Sequence, residues 1–180
     1  MLEEAGFGDT DEDGLLDRDG KPFRFTFLIW AHSSSLGKLA PLYQEALRRE
    51  GVAMDIERVE WAVFTERLRR HDFDVVSLGW STGDVENDLY PTFHSSQVNG
   101  GGNYVGYQNP ELDALLVAFR RSFDPQEKAA LGRRIHRMIY DDQVYTFLGV
   151  RSALDAAKTK VKGLVPSLTW YRLADVWLEP

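Results

Sequence analysis

The sequence predicts an α/β fold, a mixed sheet flanked by helices. Three observations carry that expectation. Runs with the two-residue period of strands alternate with runs at helical spacing. Several of the helical runs are punctuated by a capping residue, a proline or a glycine. The composition, 43% hydrophobic and 27% charged over 180 residues, suits a packed core and not a disordered chain.

The elements follow in order. Residues 1–5 read as the last turn of a helix stopped by Gly6, and residues 8–22 as a turn-rich acidic loop. In FRFTFLIW (23–30), Phe23, Phe25 and Phe27 alternate with Arg24 and Thr26, the period of a strand. Residues 36–50 carry Leu36, Leu39, Ala40, Tyr43, Ala46 and Leu47 at helical spacing, closed by Gly51. Pro41 interrupts that pattern and is expected to start or kink the helix. Val52, Met54 and Ile56 mark a second strand over 52–59. Trp61, Phe64 and Leu68 mark a helix over 61–70, and FDVVSLGW (73–80) reads as a buried strand.

Asn109-Pro110 opens the next helix with a cap and a proline at its first position; its apolar face is Leu112, Leu115, Leu116 and Phe119. Asp124-Pro125-Gln126-Glu127 opens another, with the carboxylate spacing of a capping box and an apolar face of Leu131, Ile135, Met138 and Ile139. VYTFLGV (144–150) and LTWYRLADVWL (168–178) read as strands. A chain that opens on the tail of a helix is expected to be a piece of a longer protein.

Charge excludes some functions. Eight of the 28 acids and one of the 21 bases lie in residues 1–20, so that segment carries the whole net charge of -7. The remainder is formally neutral and holds no basic stripe, which argues against nucleic acid as a partner. There are no cysteines, which removes disulfides, thiolate nucleophiles and Cys-based zinc sites. No apolar run approaches a membrane span.

The stretch from Leu78 to Leu116 is the most informative. A Trp-ended strand runs into a polar, Gly-rich, aromatic-dotted loop and then into a capped helix. In α/β proteins, ligands sit beyond the carboxyl ends of strands. The loop is chemistry for binding, without an evident catalyst.

The same residues carry a resemblance. DFD (72–74), LGWS (78–81), FHSSQ (93–97), GGN (101–103) and GYQNPELDALL (106–116) stand in the order found in the second lobe of family 5 solute-binding proteins of ABC transporters, the peptide- and nickel-binding group. EAGFGDTDEDGLLDRDGKPFRFTFL (4–28) is similar to that family's acidic turn and strand, and RRIHRMIYDDQVYTFLGV (133–150) to a later helix and its exit. The resemblance implies a periplasmic-binding-protein-like lobe, residues 1–180. It would be the C-terminal ligand-binding half of a two-lobed receptor, with about 168–180 returning toward a first lobe that this chain lacks. It further implies a substrate-binding component of an ABC importer, periplasmic or extracellular and membrane-associated through the full-length protein, the chain itself being soluble. A peptide or small polar solute and a permease would be its partners.

The resemblance places an acid shortly after the Gly-Trp pair, where it meets a ligand's amino group. Asp84 fits, with Glu86 and Asp88 as alternatives. The expected ligand-binding set is Trp80, Ser81, Asp84, Tyr104 and Tyr107, with no catalytic set. Trp80 either walls a pocket or plugs the core, and a strand's carboxyl end favours the pocket. Tyr104 and Tyr107 follow the hinge-like Gly100-Gly101-Gly102 run, where packing is the alternative to ligand contact. Asp113, in the first turn of its helix, is expected to serve the helix dipole.

His94 beside Ser95 invites a rival reading: a hydrolase or metal-dependent enzyme using His94 with Asp84 or Asp88. No GxSxG elbow supports it, and His32, His71 and His136 are scattered. No cofactor is expected, with one weak candidate. Asp9, Asp11, Asp13 and Gly14 match the first half of a calcium loop, and Asp17 falls at its ninth place. Gly20 stands where a bidentate Glu belongs, which favours an acid-rich turn over a calcium-stabilised module.

Overall fold

A computed structural model describes residues 1–80, 88–150, 156–165 and 173–179. The chain forms two compact units, Met1–Gly79 and Trp80–Pro180.

The first unit is built on a parallel sheet. After a turn in which the Ala5 N–H donates to the Met1 carbonyl, a small hairpin pairs β1 (Asp17–Arg18) with β2 (Lys21–Pro22). Strand β3 (Arg24–Trp30) is central; β4 (Ala53–Val59) and β5 (Val75–Val76) run parallel to it on either side. Both faces of β3 are buried, as a central parallel strand requires: Phe27 and Ile29 on one, Leu28 on the other. Helix α1 (Ser34–Arg49) links β3 to β4 and packs Ala40, with Leu36 and Leu47, against Phe27, Ile29, Met54 and Ile56. Helix α2 (Trp61–Arg69) packs on β3 with Phe64 and Leu68 buried.

The second unit is mainly helical. Short α3 (Tyr90–Phe93) leads through a 3-10 turn (Ser95–Gln97) and the Gly-rich loop to α4 (Pro110–Arg121) and α5 (Pro125–Asp141). Both predicted caps are made. Asn109 Oδ1 accepts from the N–H groups of Glu111 and Leu112, and Asp124 Oδ1 from those of Gln126 and Glu127. Phe93, Leu112, Leu115, Leu116, Ile135 and Ile139 form the core. A two-stranded ribbon pairs β6 (Val161–Lys162) with β7 (Trp177–Leu178), antiparallel. Parallel and antiparallel pairing therefore occur in separate sheets among the described residues.

Four expectations are corrected. Helix α1 starts at Ser34, capped by Ser33 Oγ, and runs through Pro41. Its buried apolar face outweighs the one hydrogen bond that proline removes. The predicted strand 73–80 pairs only at Val75 and Val76, and Val75 is exposed. The Asp74 carboxylate takes the Thr26 N–H at 2.8 Å, which substitutes for the ladder at that end. Residues 144–150 have no ladder, and Phe147, Leu148 and Val150 are exposed. Within 168–178, residues 168–172 lie outside the described residues, Leu173–Asp175 is a 3-10 turn, and only Trp177–Leu178 is strand. Alternating apolar residues fit a strand, but pairing needs a partner at the right height.

Candidate functional site

In the first unit, the carboxyl ends of β3 and β4 bring aromatic residues together. Trp30 ends β3 and Trp61 opens α2, with ring centroids 5.4 Å apart at 66°. Trp61 stacks on Phe64 at 5.7 Å, yet stays 52% exposed. His32 lies edge-on to Trp30, and its Nε2 is 3.4 Å from Glu60 Oε2. The buried Trp30 Nε1 has no hydrogen-bond partner among the described residues. This edge is where ligands approach a parallel sheet. Sequence reasoning passed over it by assigning Trp61 to an apolar helix face; the available signal was a tryptophan at each strand-to-helix transition.

In the second unit, Trp80 is 48% exposed and does not plug the core. Its ring stacks on Tyr104 at 5.9 Å and 14°. A hydrogen bond from the Trp80 side chain reaches Tyr145. Burial pushes the Tyr145 phenol up to about 12, and the bond from Trp80 offsets part of that rise. Tyr145 in turn packs on Phe93, at 5.2 Å. Trp80, Tyr104 and Tyr145 thus form an aromatic platform seated on the helical core, with polar tips that suit a partly wet site.

Tyr107 is held differently. Its hydroxyl donates to Asp142 Oδ2 and accepts from Asn109 Nδ2 at 3.0 Å. Burial, then the Asp142 bond, pushes its phenol up to about 12. Of the three glycines before Tyr104, Gly100 takes a positive φ of 84°, and Gly101 and Gly102 are demanded by close approach. A Cβ on Gly101 would stand 2.6 Å from the Gln97 carbonyl oxygen, and one on Gly102 would stand 2.9 Å from that of Pro91.

Ser81, Asp84 and Glu86 lie outside the described residues. Asp88 is gripped by Arg120, with Nε at 3.0 Å and Nη2 at 2.5 Å from its Oδ2. That guanidinium holds the Asp88 carboxyl below its ordinary range and lies 3.9 Å over the Tyr90 ring. Asp88 therefore has a cation of its own. An Asp88 anchor for a ligand amine would compete with it.

The FHSSQ motif is structural in this geometry. His94 Nδ1 accepts from the Ser96 N–H at 3.0 Å, and the ring stacks on Tyr90 at 4.0 Å. The Nδ1 lone pair is engaged by that backbone hydrogen bond, so Nδ1 is not the nitrogen that would serve as base for a serine. Asp113 Oδ1 accepts from the Ser95 N–H at 2.8 Å, which ties α4 to the 3-10 turn.

In the acidic loop, carboxylate oxygens of Asp9, Asp11 and Asp17 lie within 4.8 Å of one another. Asp13 instead closes a turn onto the Leu15 N–H at 2.8 Å. Asp9 already accepts from the Gly14 N–H, and Asp17 from the Thr10 N–H and hydroxyl.

Residues 1–100 match the family model described as "Bacterial extracellular solute-binding proteins, family 5 Middle". The oligopeptide-binding protein AppA of Bacillus subtilis (strain 168) is 35% identical over 99% of this chain and 33% of that protein. The chain belongs to the family 5 solute-binding proteins. The solved structure of AppA in complex with a nonapeptide matches with a TM-score of 0.78 and 31% identity, covering 99% of this chain and 36% of that one. NikA of Brucella suis, in complex with Fe(III)-EDTA, matches with a TM-score of 0.80 at 19% identity, over 99% of this chain and 36% of that one, and so shares the fold. The chain spans between about a quarter and a third of the length of the curated relatives it matches. Among the described residues of this family 5 chain, no helix is long and apolar enough to cross a membrane.

Proposed function

We propose that this chain is the C-terminal ligand-binding lobe of the substrate-binding component of an ABC importer. It binds peptides or similar small polar solutes without covalent chemistry, outside the cytoplasmic membrane, and a first lobe closes over them before delivery to the permease. The observation that carries the reading is the identity with AppA along nearly the whole chain, AppA being named an oligopeptide-binding protein. Half-exposed Trp80, stacked on Tyr104 and immediately preceding the Ser81–Asp84 stretch, supports it: aromatic walls with few polar anchors are what such pockets use. Asp84 would supply the anchor for a ligand amine. The reading needs no cofactor; calcium titration by calorimetry tests the Asp9, Asp11 and Asp17 cluster.

Calorimetry on the chain and on the full-length receptor, with one peptide mixture, tests the two-lobe reading. A single lobe leaves the ligand open to water and screens Asp84. The chain alone is expected to bind at least about a thousandfold more weakly, roughly 4 kcal/mol. Submicromolar binding by the chain alone would overturn it.

A further inference from the structure

Asn103 is fully buried and stands in the chain between Gly102 and Tyr104 of the aromatic platform. Gly102 lies beneath Trp80, where an added Cβ would be 3.4 Å from its ring, and Tyr104 stacks on that ring. The Asn103 side chain bonds in both directions. Its Nδ2 donates to the carbonyls of Tyr107 at 2.8 Å, His94 at 3.3 Å and Phe93 at 3.4 Å. Its Oδ1 accepts from the Tyr107 N–H at 3.1 Å. Its own N–H donates to the Gln97 carbonyl at 3.2 Å. One side chain thereby ties the end of α3 to the far end of the Gly-rich loop. A carboxylate of the same length lacks the donors, and an apolar residue lacks both functions.

We propose that Asn103 is the positioning residue of the platform, holding Gly102 beneath Trp80 and Tyr104 against its face before any ligand arrives. The inference rests on the reading of Trp80 and Tyr104 as ligand contacts. Its consequence is preorganisation: the ligand does not bear the entropy of ordering two aromatic side chains.

The test has three readouts. With 5-fluorotryptophan in place of the five tryptophans, the Trp80 resonance is identified by Trp80→Phe. Asn103→Ala is expected to shift that resonance and leave the Trp61 resonance in place. In the full-length receptor, Asn103→Ala is expected to weaken binding of a pool of synthetic nonapeptides about tenfold. In a Tyr104→Ala background the same substitution is expected to change binding by less than about twofold, because the two act through one element. An unmoved Trp80 resonance overturns the proposal, and so does a tenfold loss that persists without Tyr104. If Asn103→Ala does not fold, amide exchange on the unaltered protein decides: a Tyr107 N–H exchanging at open-loop rates would show that Asn103 does not hold it. If the unaltered receptor binds no nonapeptide, the peptide reading fails, while the resonance and exchange results still judge Asn103.

Discussion

The acidic loop of residues 9–20 and the Gly-rich loop of residues 100–107 look alike in sequence: polar, aperiodic and rich in glycine. They are held in opposite ways. The acidic loop is shaped mainly by its own side chains, with Asp9, Asp11 and Asp13 accepting from amides two to five residues on, while the Leu16 N–H ties it to the Gly51 carbonyl at 2.7 Å. Only Asp17 is buried. The Gly-rich loop is fastened to the helical core by buried Asn103, by Tyr107 on Asp142, and by glycines pressed on Gln97 and Pro91. Short side chains beside their own amides make a loop that depends little on the core. A buried amide bonded on both sides makes a loop whose shape is the core's.

That contrast can be broken at its strongest point. Asn103→Ala leaves buried backbone groups unpaired, so it is expected to lower the chain's stability by about 3 kcal/mol. Urea unfolding followed by circular dichroism measures it, and a loss near zero would show that the Gly-rich loop is as self-contained as the acidic one.

Alkali next tests the core's hold on Tyr107 of the Gly-rich loop and on Tyr145. Tyr107 and Tyr145 both hold their protons to about 12, against 10.0 when unperturbed. Their contribution to stability is complete below pH 10 and is lost as pH rises through 12. Absorbance at about 295 nm, the tyrosinate band, should show a late ionisation phase that Tyr107→Phe and Tyr145→Phe each reduce. Titration of both phenols near 10 would mean that neither is held by the core.

The acidic loop has one residue that resembles Asn103. Asp17 accepts from the Thr10 N–H at 2.9 Å and from its hydroxyl at 2.8 Å. Asp17→Ala is expected to cost about 1–2 kcal/mol in the same urea experiment. Asp11→Ala, at an exposed acceptor 3.3 Å from the Asp13 N–H, is expected to stay within about 0.5 kcal/mol. If the two losses were equal, burial would not be what distinguishes Asp17.

Much of the fold was legible because the relevant signals are local. The β3 and β4 runs, the Asn109 and Asp124 caps and the apolar faces of α4 and α5 lie where periodicity and capping chemistry place them. The order of five short motifs was enough to identify the family, since each motif is a contiguous string. The site was legible only in part. Trp80 and Tyr104 stood out as aromatics around a loop, but their stacking on one another did not. Trp30 and Trp61 were hidden inside strand and helix patterns, and Asn103 passed as a loop residue.

By itself, then, the sequence determined where the four long helices lie, where α4 and α5 begin, and which family the chain joins. Only the tertiary structure decided which apolar runs become strands: β5 pairs at two residues, and residues 144–150 pair at none. Only it assigned Asp88 to Arg120, His94 to the Ser96 amide and Asn103 to the buried centre of its loop. The reason is range. A cap or a helical face is settled by residues within about a turn of each other. Ladder partners, ion pairs and burial depend on groups far apart in the chain, whose meeting no local pattern records.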